Sequence, residues 1–377
     1  MYENRVEKGE KMETMFGYGS EGADVRGQNE ELLGVPQLAI VGIGGAGNNS
    51  MDRLERLGGL NGVDRLAVNT DKLHLDSISC KRKILIGKSL TRGLGAGGSP
   101  EVARKAAELD REELRKLLEG KNFVFLTAGM GGGTGTGATP VVAEVAKQAG
   151  AIVVAMVSFP FEAERGRRDS ALEGIQKLRE TTDTVIVLEN DKLVEYVGNL
   201  PVNDAFKTMD MLIATTIQGI AETITEPSLV NLDFADLKAV MAEGGVAVML
   251  VGETKRAERK SEAVVESALC HPLLEADYRG ATGALVHITG GSDLTMKETT
   301  DIVDLLTYEV DPKARVIWGA RISDDYNGKA KVMAIMTGVE PKWIFGGIPY
   351  GSRGMSADLP EVDAGGRGIC GIRQIIR

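Results

Sequence analysis

The stretch GGGTGTG (Gly131–Gly137) lies between the apolar run FVFLTAGM and the segment ATPVVAEVAKQAGA. It holds five glycines in seven positions, two threonines and no lysine, at a junction that reads as strand to helix. Amide groups at a helix start are unpaired, and the helix dipole adds partial positive charge there. Glycine lets anion oxygens approach that backbone and accepts the positive φ values of a cradle. A packing turn needs one or two glycines, not five. Gly131–Gly137, including Gly133 and Gly135, therefore predicts a phosphate nest, with Thr134 and Thr136 adding hydroxyl donors.

The surrounding pattern sets the fold class. Short apolar strands alternate with helices from PQLAIVGIGGAGNNSMDRL onward: DRLAVNTD, KRKILIGKS, FVFLTAGM, AIVVAMVSFP and TVIVLEND are strand-like. Between them, SPEVARKAAELDREELRKLLEG reads as one helix with Ser99 as N-cap, Pro100 at its first position and Gly120 at its end. RRDSALEGIQKLRETT reads as another. The alternation predicts an α/β fold with a doubly wound, mostly parallel sheet. A long central helix follows. Phe206, Met209, Ile213, Ile217, Ile220 and Ile224 keep helical spacing, and Pro227 marks the stop. Beyond it, GGVAVMLVGE, GALVHITGG, ARVIWGARIS and AKVMAIMTGV alternate with helical stretches near 257–269 and 294–309. These make a smaller α/β domain with a mixed sheet. The expected division is an N-terminal arm over 1–35, a nucleotide domain over 36–227, a second domain over 228–345, and a linker with terminal peptide over 346–377.

Composition excludes several classes. With 377 residues the chain is long enough for two cores, and a formal charge of −10 argues against a general nucleic-acid binder. Its three cysteines, Cys80, Cys270 and Cys370, lack CxxC spacing and fit a reducing compartment. No run approaches eighteen apolar residues and no secretory signal opens the chain, so the expected location is the cytoplasm, without membrane insertion.

Two further glycine loops accompany the first. GIGGAG places Gly42, Gly44 and Gly47 as GxGxxG after a strand, with Asp71 ending the next strand. Alone, that fingerprint favours an NAD-dependent oxidoreductase of Rossmann type. GLGAGG (Gly93–Gly98) leads into the Ser99 cap. A Walker motif fails, because GKS at Gly87–Ser89 would require glycine where Arg82 stands. Three nests aimed at one crevice suit a ligand with several phosphates better than a single pyrophosphate.

The ordered set GIGGAGNN, AVNTD, GLGAGG, GGGTGTG, PFEAERGRR, LENDKL and NLDFADL resembles the tubulin/FtsZ superfamily over roughly residues 36–345. The chain looks like an FtsZ-type cell-division GTPase, and its long N-terminal arm resembles archaeal members. The resemblance implies GTP/GDP as ligand, with Mg²⁺ bound mainly through phosphates and water and no dedicated metal residues. It implies that Gly45, Ala46, Gly47, Asn48 and Asn49 line the phosphates, that Asn69 and Asp71 approach the nucleotide and its Mg²⁺, and that Ala96 and Gly97 flank the γ-phosphate. Gly135, Thr136 and Gly137 hold the α- and β-phosphates. Glu164 sits by the ribose with an arginine of the GRR run; Arg167 and Arg168 compete, and Arg168 is preferred. Asn190, Phe206 and Asp210 read the base. Phe206 and Asp210 are four apart, hence on one helical face. One ring can stack on a purine and one carboxylate can accept from guanine N1–H and N2–H, a pair adenine lacks.

The same resemblance assigns hydrolysis to Asn231, Asp233 and Asp236 of NLDFAD. These follow the long helix's stop, about 30 Å from its start at about 1.5 Å per residue. Two carboxylates three apart also suit a helix N-cap, with Asp233 well placed. The family reading is that they enter the pocket of the next subunit and polarise water there, so that the site is complete only in a head-to-tail homopolymer. Ser228 stands where the family's loop usually carries glycine. The terminal GICGIRQIIR implies docking to membrane-tethering or regulatory division proteins at the division site. A tubulin-like relative with little turnover is the remaining alternative.

Overall fold

The computed structural model describes residues 36–56, 62–197, 199–225, 234–241, 246–256, 258–270 and 278–339. In chain order, β1 (Leu38–Ile43), α1 (Gly44–Arg56), β2 (Val63–Asn69), α2 (Lys72–Ser77), β3 (Arg82–Leu85) and α3 (Lys88–Thr91) open the fold. They are followed by α4 (Pro100–Leu109), α5 (Arg111–Leu118), β4 (Phe123–Gly129), α6 (Thr134–Gln148), β5 (Ile152–Phe159), α7 (Arg165–Thr181), β6 (Thr184–Glu189) and α8 (Asn190–Val197). Then come α9 (Val202–Thr225), α10 (Phe234–Met241), β7 (Val246–Thr254), α11 (Lys260–Leu269), β8 (Gly283–Gly290), α12 (Met296–Thr307), β9 (Arg315–Ile322) and β10 (Ala330–Val339).

The strands form one sheet in the order β3-β2-β1-β4-β5-β6-β7-β10-β8-β9. The first six are parallel throughout. β1 is buried at every position, as a strand covered on both faces must be. Its residues alternate between two cores. Leu38 and Ile40 join Met51 of α1, Ile213 of α9 and Val240 of α10. Ala39, Val41 and Ile43 join Ala106 of α4, Leu114 of α5, Val142 of α6 and Ile175 of α7. Each fully buried side chain of this size contributes roughly 1.5–3 kcal/mol.

The second half is mixed: β10 runs antiparallel to both β7 and β8, and β9 is parallel to β8. Among the described residues it meets the first half through the β6–β7 pairs Val185–Val246 and Ile186–Ala247. The α9 core also reaches across, because Met249, Leu285, Met333 and Ile335 belong to it. Met209, Ile213, Ile217 and Ile220 of α9 are buried at the spacing the sequence shows. Pro227 lies outside the described residues.

Two local expectations shift. The single helix foreseen from Ser99 to Gly120 is divided at Asp110, whose Oδ2 accepts from Gly87 N at 2.6 Å. That carboxylate fixes a neighbouring loop, and the backbone at Asp110 leaves the helical region to let it. The strand foreseen through TVIVLEND stops at Glu189, and Asn190 opens α8. Ser99 does cap α4, accepting from Val102 N at 3.4 Å with Pro100 next. No helix among the described residues is long and apolar enough to cross a membrane.

Candidate functional site

The strand order reverses between β1 and β4, and crevices at such a switch point, beyond the carboxyl ends of parallel strands, are where α/β folds bind ligands. A cavity of about 610 Å³ opens there. Gly45 and Ala46 of α1, Asn69 at the end of β2 and Asp71 beyond it, Gly95, and Gly132 to Gly135 form its glycine end, with His74 beside them. Pro160, Phe161, Glu164, Arg167, Asn190 and Phe206 form its aromatic end, and Gly129, Met130 and Ser158 lie on the wall as well.

At the glycine end, hydrogen bonds fix the loops to one another. Asn69 Oδ1 accepts from the amides of Thr70 and Asp71 at 2.9 and 3.2 Å. Asp71 caps α2, its Oδ1 accepting from His74 N at 3.1 Å. Thr134 Oγ1 shares a 2.7 Å hydrogen bond with Thr70 Oγ1, and Thr136 Oγ1 accepts from Gly131 N at 2.8 Å. Thr136 is buried and serves the loop's own backbone.

The glycines divide into two kinds. At Gly45 and Gly132 a Cβ would enter open space on the cavity wall. At Gly47, Gly135 and Gly137 it would strike the carbonyl oxygens of Thr127, Gly129 and Pro100 respectively. Those three let helices seat closely on β4 and α4, so glycines that serve packing and glycines that bare backbone to the cavity stand side by side. Gly131 adopts φ +89° with the Arg167 carbonyl oxygen 2.7 Å from where a Cβ would sit, which leaves no alternative residue. Ala96 is buried behind the cradle, 2.9 Å from the Cβ position of Gly133. Gly97 and Asn49 are exposed and off the wall. Asn48 is fully buried with neither amide atom bonded, a costly arrangement that fits a polar ligand at the start of α1.

The aromatic end is made of side chains. Phe206 is 42% exposed and meets Phe161 edge-on, with centroids 5.9 Å apart. Arg167 lies on the wall, its Nη1 donating to Glu164 Oε2 at 2.5 Å. Arg168, the preferred arginine of the sequence reading, turns away: its Nη1 donates to Asp191 Oδ2 at 3.0 Å and its guanidinium lies 4.8 Å over Phe159. Asp191 also accepts from Glu162 N, so the Arg168–Asp191 pair braces the loop that carries Phe161 and Glu164. Asp210 sits one helical turn beyond Phe206, off the wall, accepting from Ser50 Oγ at 3.1 Å. Burial pushes its carboxyl up to about 6, against the opposing pull of Ser50 and Arg53.

Asp236 lies in the first turn of α10, exposed and absent from the cavity wall. Asn231 and Asp233 fall outside the described residues, as do Ser228 and the terminal peptide. Among the described residues no group of three or more histidine, cysteine or acidic side chains could hold a metal ion.

His74, Ser158 and Phe161 were not singled out from sequence. Two signals were available. An N-cap at Asp71 brings the residue three positions on, His74, to the same end of α2. The carboxyl end of β5, next to β4, carries Ser158 and leads to Phe161.

A doubly wound sheet with three glycine loops converging on its switch point defines a nucleotide-binding protein. The profile described as Tubulin/FtsZ family, GTPase domain, matches residues 37–198, and that of the FtsZ family, C-terminal domain, matches residues 245–340. The chain is 56% identical over 314 residues to Cell division protein FtsZ 2 of Halobacterium salinarum, covering 83% of this chain and 79% of that one. It is 55% identical to Cell division protein FtsZ 2 of Methanocaldococcus jannaschii, covering 84% of each. Among solved structures, the empty FtsZ dimer of M. jannaschii superposes with a TM-score of 0.76 at 41% identity, covering 89% of this chain and 93% of that one. The chain belongs to the tubulin/FtsZ family and is a GTPase of its FtsZ branch. That membership sets aside the oxidoreductase alternative.

Proposed function

We propose that this chain binds GTP in the switch-point cavity, assembles head to tail, and hydrolyses GTP at the contact between subunits during cell division. One observation carries the reading: the cavity holds an anion cradle, yet its wall carboxylates are engaged locally. Asp71 caps α2, and Glu164 pairs with Arg167. That engagement supports a water-polarising carboxylate supplied from elsewhere. Asp236, in the first turn of α10 after the long helix α9, is absent from the wall of the chain's own cavity, which supports its acting on a neighbouring subunit.

In this reading the amides of Gly45, Ala46 and the Gly132–Gly135 run bind the phosphates, joined by Asn48, Asn49, Ala96, Gly97, Thr136 and Gly137 around them. Glu164 and Arg167 face the ribose, and Asn190, Phe206 and Asp210 face guanine. Asn69 and Asp71 would hold the water shell of a Mg²⁺ ion carried by the phosphates, whose charge would offset that of the leaving diphosphate. Asn231, Asp233 and Asp236 of the next subunit orient the water whose oxygen attacks the γ-phosphorus as the bond to the bridging oxygen breaks. Such a contact is heterologous and propagates as a filament. The empty FtsZ dimer of M. jannaschii supports self-association. The terminal peptide docks tethering or regulatory division proteins, which places the cytoplasmic filament at the division site. In this reading the domain boundary lies near 227/228; the two profiles, ending at 198 and starting at 245, are compatible with it.

Pelleting with GTP, alongside phosphate release per subunit at rising protein concentration, tests this. Turnover should rise steeply with concentration, and Asp236→Ala should bind GTP normally while losing on the order of 10²-fold or more in turnover. Concentration-independent hydrolysis, or normal turnover in Asp236→Ala, would refute the shared site. Pelleting without phosphate release would favour the non-hydrolysing relative.

A further inference from the structure

The segment Asn69–His74 touches all three glycine loops. To the third, Thr70 Oγ1 bonds Thr134 Oγ1 at 2.7 Å. To the second, Gly95 N donates to Thr70 O at 3.1 Å and Lys72 N to Gly93 O at 2.9 Å, around an isolated bridge between Asp71 and Leu94. To the first, His74 Nε2 lies 3.2 Å from Gly45 O. A carbonyl oxygen only accepts, so His74 donates from Nε2–H.

That last contact meets a specific weakness. The first turn of α1 runs Gly44-Gly45-Ala46-Gly47, and glycine is about 1 kcal/mol worse than alanine in a helix. Gly45 is exposed, with nothing near its Cβ position to hold it by packing. Gly44, Ala46 and Gly47 pack against Gly135, Gly129 and Thr127, so Gly45 is the one member of the turn that packing leaves unheld, and its displacement would move the amides that face the cavity. α2 is anchored in turn by the Asp71 cap. We propose that His74 is a positioning residue of the cradle: its hydrogen bond to the Gly45 carbonyl clamps the glycine-rich first turn of α1 in the anion-binding conformation. The inference rests on the nucleotide reading above and adds to it a residue that acts through Gly45 rather than on the ligand.

A clamp of this kind acts on the population of the binding-competent turn, which scales apparent affinity. Once ligand is seated, the ligand itself holds the turn. His74→Ala should therefore raise KM for GTP and Kd for fluorescent GDP roughly threefold to tenfold, the equivalent of one side chain–backbone hydrogen bond, with kcat within about twofold. His74→Gln, which keeps an Nε2–H donor at similar reach, should bind within about twofold of the parent. Hydrogen exchange at residues 45–48 of the nucleotide-free protein should quicken in His74→Ala and not in His74→Gln.

The outcomes separate cleanly. A parent chain that binds no guanine nucleotide overturns the nucleotide reading and this inference with it. If the parent binds and His74→Ala binds equally well, this inference alone falls. Equal losses in the alanine and glutamine variants would mean that the imidazole acts by charge or bulk, which also overturns the clamp. A lower kcat at unchanged KM would do the same.

Discussion

The two ends of the cavity are built from different materials. At the glycine end the wall is main chain: Gly45 and Gly132 present bare backbone, and hydroxyls and amides tie the loops together. At the aromatic end it is side chain: Phe161, Glu164, Arg167, Asn190 and Phe206 converge from one loop and three helices. Backbone recognition needs close approach and therefore shows in the sequence as a dense run of glycine. Side-chain recognition needs only that long residues converge, and it leaves no local pattern.

The sharpest test of that contrast uses two glycines of one loop. Gly137→Ala drives a Cβ into the Pro100 carbonyl oxygen at the seat of α6 on α4. We expect a loss of about 3 kcal/mol, or several degrees in Tm, in thermal unfolding without nucleotide. Gly132→Ala meets open space and should leave stability within about 0.5 kcal/mol of the parent while weakening GDP binding. If both variants unfold alike, the division into packing and cradle glycines is wrong.

Asp210 gives the next largest effect, at the other end. Its carboxyl is pushed from 3.8 to about 6 by burial. Between those values the folded chain holds a proton that the unfolded chain releases, so this group's contribution to stability is full below pH 3.8 and is lost as pH rises through about 6. Asp210→Asn should therefore raise stability at pH 7 by up to about 2–3 kcal/mol and leave it unchanged near pH 3.5. The same substitution should cost guanine affinity and relax discrimination against ATP, because one of the two acceptor oxygens facing N1–H and N2–H becomes an NH2 donor. In the parent, GTP affinity should fall as pH drops below about 6. A variant that gains no stability, measured by urea unfolding at both pH values, contradicts the burial argument.

The adjacent arginines give the smallest and most diagnostic effect. Arg168 braces a loop through Asp191 and Phe159, whereas Arg167 is the more exposed of the two and lies on the wall. Arg168→Ala should cost about 1 kcal/mol in stability along with affinity, and Arg167→Ala should cost affinity with no change in Tm. The reverse pattern would restore the assignment preferred from sequence.

Much of the glycine end was legible in advance. GIGGAG and GGGTGTG each sit between a strand and a helix, and the structure brings Gly45, Ala46, Asn69, Asp71, Gly133, Thr134 and Gly135 onto one wall. What the glycine count did not reveal was purpose, since Gly135 and Gly137 are also demanded by packing against residues 129 and 100. His74 escaped notice because a lone histidine on a six-residue helix carries no periodic signal. The Arg167/Arg168 choice was out of reach because adjacent helical residues differ by about 100° in direction, and only the position of Asp191 fixes which one points inward.

The amino-acid sequence by itself determined the alternation of strand and helix, the place of the first and third glycine loops at a strand's carboxyl end, and the family. Those features are local: periodicity and turn chemistry act over a few residues. Tertiary structure alone decided which glycines face the cavity and which seat a helix, which arginine reaches the wall, and that one core under α9 serves both halves of the sheet. Each of these depends on atoms distant in the chain meeting across a packed interface, and no short window of residues encodes such a meeting.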